Sequence, residues 1–223
     1  MQLIPGQYIS LGLLEGERLV QRPYSPASEV SGETLELYVR LVPQPRFTDL
    51  LWRTRPGQPI RVGRPKGRFV LDPDPARTSL FVATGTGIAP FIAMLRTMRA
   101  TGDHRRVILV HRVSHTEELV YRSLLESWAA ERPGQLDYVP TLSRPTDGRN
   151  AGWTGRTGRA EAILPALVGD LDLRAGSMIA YLCGNPDMID AAETILAGLG
   201  FPASDIRAEH YWPKDRPPQV VGG

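Results

Sequence analysis

The segment Thr84-Gly85-Thr86-Gly87-Ile88-Ala89-Pro90 lies directly between an apolar run typical of a buried strand and a sequence with helical spacing. Gly85 and Gly87 would let the backbone turn tightly and approach a ligand with no Cβ atom in the way. The N-terminus of the following helix would offer unpaired N–H groups and a partial positive charge to a pyrophosphate. The segment therefore indicates a nucleotide site, with a tight strand-to-helix turn that binds no ligand as the alternative.

A second group of chemically useful side chains, Arg22-Pro23-Tyr24-Ser25, lies at the end of a predicted strand. An arginine fork can bind a pair of phosphate oxygens, a tyrosine ring can stack on a flat heterocycle, and a serine hydroxyl can bond to a ring nitrogen. Taken alone, these residues are better explained as an exposed strand end with a solvated arginine.

Two further signatures follow these groups along the chain. Cys183-Gly184-Asn185-Pro186-Asp187-Met188 comes at the end of a later apolar strand, and Ala208-Glu209-His210-Tyr211-Trp212 comes near the end of the sequence. In order and spacing the signatures resemble the ferredoxin–NADP reductase family, bacterial ferredoxin/flavodoxin type, across nearly the whole chain. The resemblance implies an FAD-dependent oxidoreductase that transfers hydride between NADPH and FAD, and single electrons between FAD and ferredoxin or flavodoxin.

The resemblance also implies which residues hold FAD. Arg22 would bind the pyrophosphate, Tyr24 would stack on the si face of the flavin, and Ser25 would lie near flavin N5, which receives hydride. Thr48 matches a family Ser/Thr that binds the FAD phosphate, although Pro45-Arg46-Phe47 stands where the family usually has a glycine. The full set implied for FAD is Arg22, Pro23, Tyr24, Ser25, Leu37, Tyr38, Val39, Arg40, Thr48, Thr86, Tyr211 and Trp212.

The set implied for the nicotinamide nucleotide is Gly85, Gly87, Ser143, Arg144, Arg156, Cys183 and Gly184. Ser143-Arg144 and Arg156 match residues that bind the adenosine 2′-phosphate, which a guanidinium meets in a paired geometry. Arg159 could take the part of Arg156. Ser114 stands where a further family arginine is common, and Arg112 lies two places earlier. NADPH is therefore favoured over NADH, with a solvated basic loop as the alternative.

The implied reaction requires no protein acid or base, because the cofactors carry the chemistry. The residues implied to act at the reacting atoms are Ser25, Cys183 and Glu209, with Tyr211 and Trp212 covering the other flavin face. Cys183 would border the nicotinamide, or is instead a small buried apolar residue, as free cysteines often are. The terminal cluster is alternatively a strand packed on the core.

The residues before Asp72-Pro73-Asp74-Pro75 have the rhythm of short antiparallel strands. Apolar residues alternate through Ile9–Leu13 and again through Leu35–Leu41, and a short helix is predicted over Phe47–Arg53. With the resemblance, this pattern predicts an antiparallel, Greek-key-like β-barrel. Family members have strands before the segment that matches Pro5-Gly6-Gln7-Tyr8, so we expect a barrel that is N-terminally shortened, lacks its first strands and has unpaired edges.

After that point predicted strands alternate with predicted helices. The strands are Ser79–Ala83, Val107–His111, Leu136–Pro140 and Met178–Cys183, and the helices are Ile88–Arg99, Thr116–Ala130, Arg159–Leu167 and Pro186–Leu199. This alternation is typical of a doubly wound α/β parallel sheet. The predicted organisation is an FAD-binding domain over residues 1–75, an NADP-binding domain over 76–212, and a proline-rich disordered tail over 213–223.

Composition limits the remaining function classes. The formal net charge is +2, which gives no reason to expect nucleic acid as a partner. The single cysteine excludes a disulfide framework, and it excludes an iron–sulfur cluster of the kind that needs several cysteines; no metal is expected. No apolar run approaches the roughly 20 residues that span a bilayer, and no signal peptide is recognisable. We therefore expect a soluble cytoplasmic protein with no membrane partner.

The implied partner is a ferredoxin or flavodoxin, which are typically acidic carriers. A basic run in the first half could steer such a carrier, or could be an ordinary solvated surface; it consists of Arg53, Arg55, Arg61, Arg64, Lys66 and Arg68. Two other functions stay open. The chain could be the flavin-reductase component of a multicomponent oxygenase, or a non-catalytic module that binds flavin or nucleotide.

Overall fold

The computed structural model of the chain describes residues 3–29, 34–41 and 46–211. The chain forms two compact units, of which the first comprises Met1–Leu71 with Ala89–Asp103 and the second comprises Asp72–Ile88 with His104–Gly223. The chain therefore enters the second unit at Asp72, close to the predicted boundary, and returns to the first unit for one helix.

The first unit contains a three-stranded antiparallel sheet in the order β2-β1-β3. Its strands are β1 (Ile9–Glu15), β2 (Arg18–Tyr24) and β3 (Arg61–Val62). Ile9, Leu11 and Leu13 are buried, as the alternating pattern predicts. The antiparallel β architecture is thus confirmed, and in the described residues it is an open sheet and not a closed barrel.

Among its described residues the first unit has two helices, α1 (Arg46–Arg53) and α2 (Ala89–Thr101). Phe47 of α1 is buried in the same apolar cluster as the inward side chains of β1, which confirms the predicted short helix. The ring of Phe91 on α2 lies 5.7 Å from that of Phe69, between centroids. This aromatic contact is one of those that group α2 with the first unit.

The predicted strand over Leu35–Leu41 is wrong, because the described residues 34–41 form no strand. An alternating pattern becomes a strand only where a neighbour supplies a ladder of hydrogen bonds. Here the segment is held at Glu36, whose carbonyl accepts the N–H of Ala27 at 2.8 Å and whose carboxylate pairs with Arg96 at 2.9 Å. Leu35 and Leu41 are exposed.

The second unit is built on a six-stranded parallel sheet in the order β7-β6-β5-β4-β8-β9. Its strands are β4 (Thr78–Thr84), β5 (Val107–Val113), β6 (Leu136–Leu142), β7 (Arg156–Thr157), β8 (Met178–Gly184) and β9 (Ile206–His210). The three central strands are buried along nearly their whole length, as in parallel sheets covered on both faces. The predicted α/β parallel sheet is confirmed.

Three helices of the second unit follow its strands, α3 (Arg122–Glu131), α4 (Leu164–Asp170) and α5 (Pro186–Gly198). Helices α4 and α5 pack on one face of the sheet in a continuous apolar core. The core residues that they contribute include Leu164, Leu167, Ala192 and Leu196, packed with Leu80, Val82, Ile108 and Val110 of β4 and β5. Burial of these side chains is the main favourable term that holds the sheet and the two helices together.

Two predicted helices differ in detail from the structure. Thr116–Ala130 is interrupted, because a 3₁₀ turn at Thr116–Glu118 precedes α3. The carboxylate of Glu118 accepts the N–H of Ser114 at 2.8 Å and so closes this turn as a separate piece. Arg159–Leu167 likewise begins with a 3₁₀ turn, and the α-helical part starts beside Pro165, a residue suited to a first helical turn.

The strand order places one switch point in the sheet. From β4 the chain moves outward through β5, β6 and β7, and it then returns to the other side of β4 to form β8 and β9. Ligands of open α/β sheets bind at the carboxyl ends of the strands where the order reverses. The carboxyl ends of β4 and β8 carry the segments from Thr84 and from Cys183 that the sequence singles out.

Candidate functional site

The carboxyl ends of β4 and β8 meet so closely that glycine is required on each. A Cβ atom at Gly87 would clash with the backbone carbonyl of Cys183, and a Cβ atom at Gly184 would clash with the hydroxyl and carbonyl of Thr84. Gly184 also has φ 128, which disfavours any other residue. The Thr84 hydroxyl in turn accepts the N–H of Asn185 at 2.8 Å. The two predicted nucleotide segments are therefore brought together.

Two side chains fix the peptide carbonyls of the 3₁₀ turn Gly85–Ile88. Nε2 of His111 lies 3.0 Å from the carbonyl oxygen of Gly85, and the hydroxyl of Tyr211 donates to the carbonyl of Thr86 at 3.1 Å. In a trans peptide the C=O and the next N–H point in opposite directions. Holding both carbonyls therefore aims the N–H groups of Thr86 and Gly87 away from His111 and Tyr211. N–H groups in a first helical turn have no partner within the helix and suit an anion.

His111 fixes the turn of the candidate site, and no sequence motif indicated it. It is fully buried on β5, and burial lowers the pKa of its imidazole to about 4, so the ring is neutral near pH 7. Because a carbonyl can only accept, Nε2 carries the proton of the neutral ring. Nδ1 is buried and has no hydrogen-bond partner in the described part of the chain. The one available signal was a histidine at the end of an otherwise apolar strand.

Cys183, Glu209 and Tyr211 lie together at the ends of β8 and β9. Cys183 is fully buried, and burial raises the pKa of its thiol well above the usual value. The negative charge of Glu209 raises this pKa further, and a hydrogen bond with Tyr211 opposes the rise. The side chain is therefore a neutral thiol and not a thiolate nucleophile. Trp212 lies outside the described residues.

Arg112, the residue before the last of β5, lies close enough to Arg144 and Arg159 for their charges to lower its pKa. Burial is the main cause that lowers the pKa of Arg112. The carboxylates of Glu161 and Glu118 raise this pKa, and the positive charges of Arg159 and Arg144 lower it. Within the described residues Nε of Arg112 is buried without a hydrogen-bond partner. The arginine that stands two places before Ser114 therefore lies near Arg144, one of the residues predicted for the phosphate.

Of the two other residues predicted for the phosphate, Ser143 directly follows β6 and Arg156 begins β7. The hydroxyl of Ser143 donates to the carbonyl of Val113 at 3.3 Å, and its N–H donates to the same oxygen at 3.0 Å. Arg156 begins β7, pairs in register with Thr141 of β6, and is exposed. These positions gather the polar and basic side chains at one edge of the sheet.

The residues predicted for FAD are gathered in part within the first unit. Tyr24 at the end of β2 packs against Phe47 with ring centroids 5.8 Å apart, and Leu37 joins the same apolar cluster. Burial raises the pKa of the Tyr24 hydroxyl, with Arg22 opposing the rise. Thr48 lies in the first turn of α1. One cluster therefore brings the second strand, the Leu37 segment and the start of α1 together.

The remaining residues of this set differ in exposure. Arg22 and Arg40 are exposed, and Nη1 of Arg22 donates to the carbonyl of Gln21 at 2.7 Å. Pro23 is exposed and precedes Tyr24 on β2, Ser25 is buried, and Tyr38 and Val39 are half-buried. An exposed guanidinium beside a tyrosine ring and a hydroxyl near a helix start are a donor set that suits a dinucleotide with a flat ring.

Comparison with known proteins gives two family matches. Residues 1–71 match the oxidoreductase FAD-binding domain, and residues 81–194 match the oxidoreductase NAD-binding domain. The chain is 32% identical to ferredoxin–NADP reductase B of Sorangium cellulosum (strain So ce56), covering 92% of this chain and 84% of that protein. It is 30% identical to the flavodoxin/ferredoxin–NADP reductase of Escherichia coli (strain K12), covering 93% and 87%.

A solved structure is also similar to the whole described fold. The crystal structure of a ferredoxin NADP⁺ reductase from Neisseria gonorrhoeae with bound FAD and NADP superposes with a TM-score of 0.81 and 25% sequence identity. The match covers 93% of this chain and 87% of that protein.

Proposed function

The chain belongs to the ferredoxin–NADP reductase family of FAD- and NAD-binding oxidoreductases, and from this premise we propose that it transfers hydride between NADPH and FAD, and single electrons between FAD and a ferredoxin or flavodoxin. The observation that carries the proposal is the close meeting of the Gly85–Ile88 turn with Cys183 and Gly184 at the switch point of the sheet. There, backbone N–H groups and glycine surfaces suit a dinucleotide.

In this proposal the first unit holds FAD. Arg22 and the first turn of α1, with Thr48, bind its phosphates, and Tyr24 supplies a flat face for the ring system. Pro23, Ser25 and the run Leu37, Tyr38, Val39 and Arg40 complete the set in this unit, and the resemblance also implies Thr86, Tyr211 and Trp212. When bound, FAD accepts a hydride and releases its electrons singly, which a nicotinamide does not do.

The second unit binds NADPH in the same proposal. Gly85, Gly87 and Gly184 let the backbone approach the nucleotide, and Ser143, Arg144 and Arg156 meet its 2′-phosphate. The buried Nε of Arg112 supports a phosphate there, because within the described residues it has no hydrogen-bond partner and an anion would accept its N–H. Arg112 thereby supplies the further arginine that the family commonly has at the position of Ser114.

Three side chains are proposed to act at the reacting atoms. Ser25 orients the flavin at N5, and the neutral thiol of Cys183 borders the nicotinamide without competing as a nucleophile. Glu209 sets the negative charge beside this thiol. These groups position the reactants and shape the local field, which is the protein's share of a reaction that cofactors perform.

The proposed partner is an acidic electron carrier. Arg55, Arg61, Arg64, Lys66 and Arg68 are exposed and can steer it. Arg53 contributes less than the sequence suggests, because it pairs with Asp49 at 3.0 Å. No helix within the described residues is long and apolar enough to cross a membrane. A cytoplasmic location is part of the proposal.

The first experiment is an anaerobic visible spectrum of the FAD-loaded protein before and after NADPH, repeated with NADH, and then with reduction of ferredoxin and of flavodoxin. We expect bleaching that is much faster with NADPH, followed by carrier reduction. Equal bleaching by both nucleotides without carrier reduction would favour the reductase component of an oxygenase. Binding of FAD without bleaching would favour a non-catalytic module, and no uptake of FAD would contradict the proposal.

A further inference from the structure

The side-chain amide of Asn150 joins two loops of the second unit. It is 2% exposed, and its Nδ2 donates to the carbonyl of Ser114 at 2.9 Å and to the carbonyl of Arg144 at 2.7 Å. Its Oδ1 accepts the N–H of Thr116 at 2.9 Å. Because two carbonyls need donors and one N–H needs an acceptor, the orientation of the amide is fixed by its partners.

The loop that carries Arg144 is further held from within. Asp147 accepts the N–H of Arg149 at 3.0 Å and lies 3.1 Å from Nε2 of His115, on the loop after β5. Hydrogen bonds from the side chain and backbone of Arg149, followed by His115, hold the pKa of the Asp147 carboxyl well below its usual range. The carboxylate is therefore charged at neutral pH and links the loop after β6 to the loop after β5.

Arg144 has an exposed side chain, unlike the buried Asn150 that holds its backbone. Its backbone carbonyl is held by the buried amide of Asn150. An exposed arginine loses conformational freedom when it binds a phosphate in one geometry. A backbone that is already fixed leaves fewer degrees of freedom to lose, so only the side-chain rotamers of Arg144 remain to be ordered when the nucleotide binds.

We propose that Asn150 is a positioning residue for the adenosine 2′-phosphate. By fixing the backbone of Arg144 relative to Ser114–Thr116, it sets much of the preference for NADPH over NADH. This inference rests on the proposed function, and it extends the phosphate site to a residue that no motif indicated.

If Asn150 only stabilised the second unit, its loss would affect the binding of both nucleotides. Binding of the nucleotide that lacks the 2′-phosphate therefore distinguishes a structural role of Asn150 from a positioning role. NADH lacks the 2′-phosphate, so general damage to the second unit weakens both nucleotides. If Arg144 is no longer positioned, only binding of the nucleotide with the 2′-phosphate weakens. The reason is that the interaction of Arg144 with this phosphate exists only in the complex with that nucleotide.

The test measures the dissociation constants of NADP⁺ and NAD⁺ by calorimetry on the FAD-loaded protein. Asn150→Leu keeps the side-chain size and charge but removes all three hydrogen bonds. We expect NADP⁺ to bind about fivefold more weakly, the worth of roughly one net hydrogen bond, and NAD⁺ to be nearly unchanged. Asn150→Ser is the milder variant and is expected to give an intermediate loss.

Two further variants calibrate the result. Thr146→Ala, at an exposed position on the same loop, should leave both constants unchanged. Arg144→Ala sets the largest loss of NADP⁺ preference that the loop can give. If Asn150 acts through Arg144, adding Asn150→Leu to Arg144→Ala should cause no further loss of preference.

Several results would overturn the inference. These are an equal weakening of NADP⁺ and NAD⁺, an unchanged ratio in Asn150→Leu, or additive losses in the double variant. If Arg144→Ala leaves the ratio unchanged, the phosphate is not at this loop and the role of Asn150 falls, while the reductase function can stand. If the wild type binds neither nucleotide, the proposed function falls as well.

Discussion

Gly87 is one of two residues, with Gly184, at which the backbone of the site leaves no room for a side chain. A Cβ atom added at Gly87 would clash with the carbonyl of Cys183 on the neighbouring strand. This carbonyl belongs to the backbone, so it cannot move aside as the end of a flexible side chain could. We expect Gly87→Ala to lower the free energy of unfolding by about 1–3 kcal/mol, as overpacking does, and to weaken NADP⁺ binding. Urea denaturation and calorimetry measure the two effects.

The control for this substitution is Gly169→Ala. Gly169 lies on α4 with open space around its Cβ position, and alanine is the better helix former by about 1 kcal/mol. This variant should be neutral or slightly more stable. Equal stability of the two variants would mean that the carboxyl ends of β4 and β8 can separate. That result would contradict the close contact of these strand ends on which the proposed nucleotide site depends.

His111 gives a prediction about pH. Its pKa is about 4 in the folded protein because of burial, and an unfolded histidine has a pKa of about 6.5. Between these values the unfolded state binds the proton and the folded state does not, so stability falls as pH falls from about 6.5 towards 4. The loss is at most about 1.4 kcal/mol per pH unit from this group.

The measurement compares urea denaturation of the wild type and of His111→Phe at several pH values in that range. Other groups titrate there too, so the difference between the proteins is the informative quantity. The variant should show the shallower dependence on pH, and it should bind NADP⁺ more weakly at all pH values because Gly85 loses its hydrogen bond. Parallel pH curves would show that His111 is not a buried neutral ring.

Some residues of the candidate site could be predicted from the sequence and others could not. Gly87 and Gly184 belong to contiguous motifs that can be recognised along the chain, although the contacts that require glycine there are made between two strands. His111 and Asn150 act on residues that are 26 and 36 positions away. Nothing local marks such a role, because it arises only when the strands are placed side by side.

At the scale of elements, one ion pair ties the start of the second unit to its last strand. Arg207 of β9 pairs with Asp72 at 2.6 Å, and Asp72 donates its N–H to the hydroxyl of Tyr181 at 2.7 Å. The side chains of Arg207 and Asp72 are 28% and 17% exposed. Arg207→Met should lower the free energy of unfolding by about 1–3 kcal/mol, because a largely buried carboxylate loses its partner.

A matched exposed pair supplies the control. Arg174 and Asp172 pair at 2.9 Å with side chains 76% and 75% exposed, and surface pairs contribute roughly 0–1 kcal/mol. Arg174→Met should therefore change the urea midpoint little. If both methionine variants lose the same stability, burial does not distinguish the two pairs and the anchoring role of Arg207 is wrong.

Elements were predictable where one face or both faces are buried. The continuous apolar runs predicted the central parallel strands, and the alternation over Ile9–Leu13 predicted β1. The same alternation over Leu35–Leu41 was misleading, since a pattern of side chains cannot reveal whether a partner strand is present. β7 has only two residues, which is too few for any periodicity.

At the scale of the whole molecule, charge should govern the reaction with the carrier. Arg61 and Arg64 are exposed, and Arg61 lies on β3 at one edge of the three-stranded sheet. Steering of an acidic carrier by such charges weakens as salt screens them. We expect Arg61→Glu combined with Arg64→Glu to lower kcat/KM for ferredoxin or flavodoxin by about tenfold or more at low salt, and by much less at high salt.

The NADPH half-reaction separates this effect from general damage. Reduction of FAD by NADPH involves no carrier, so its rate should be unchanged in the double variant. Arg18→Glu is the matched control for Arg61→Glu alone, because Arg18 is also exposed but lies on β2, at the opposite edge of the same sheet. A similar loss of carrier reduction in Arg18→Glu would indicate an effect of net charge alone. No loss in the double variant would place the carrier on another surface, and the basic run would then be an ordinary solvated face.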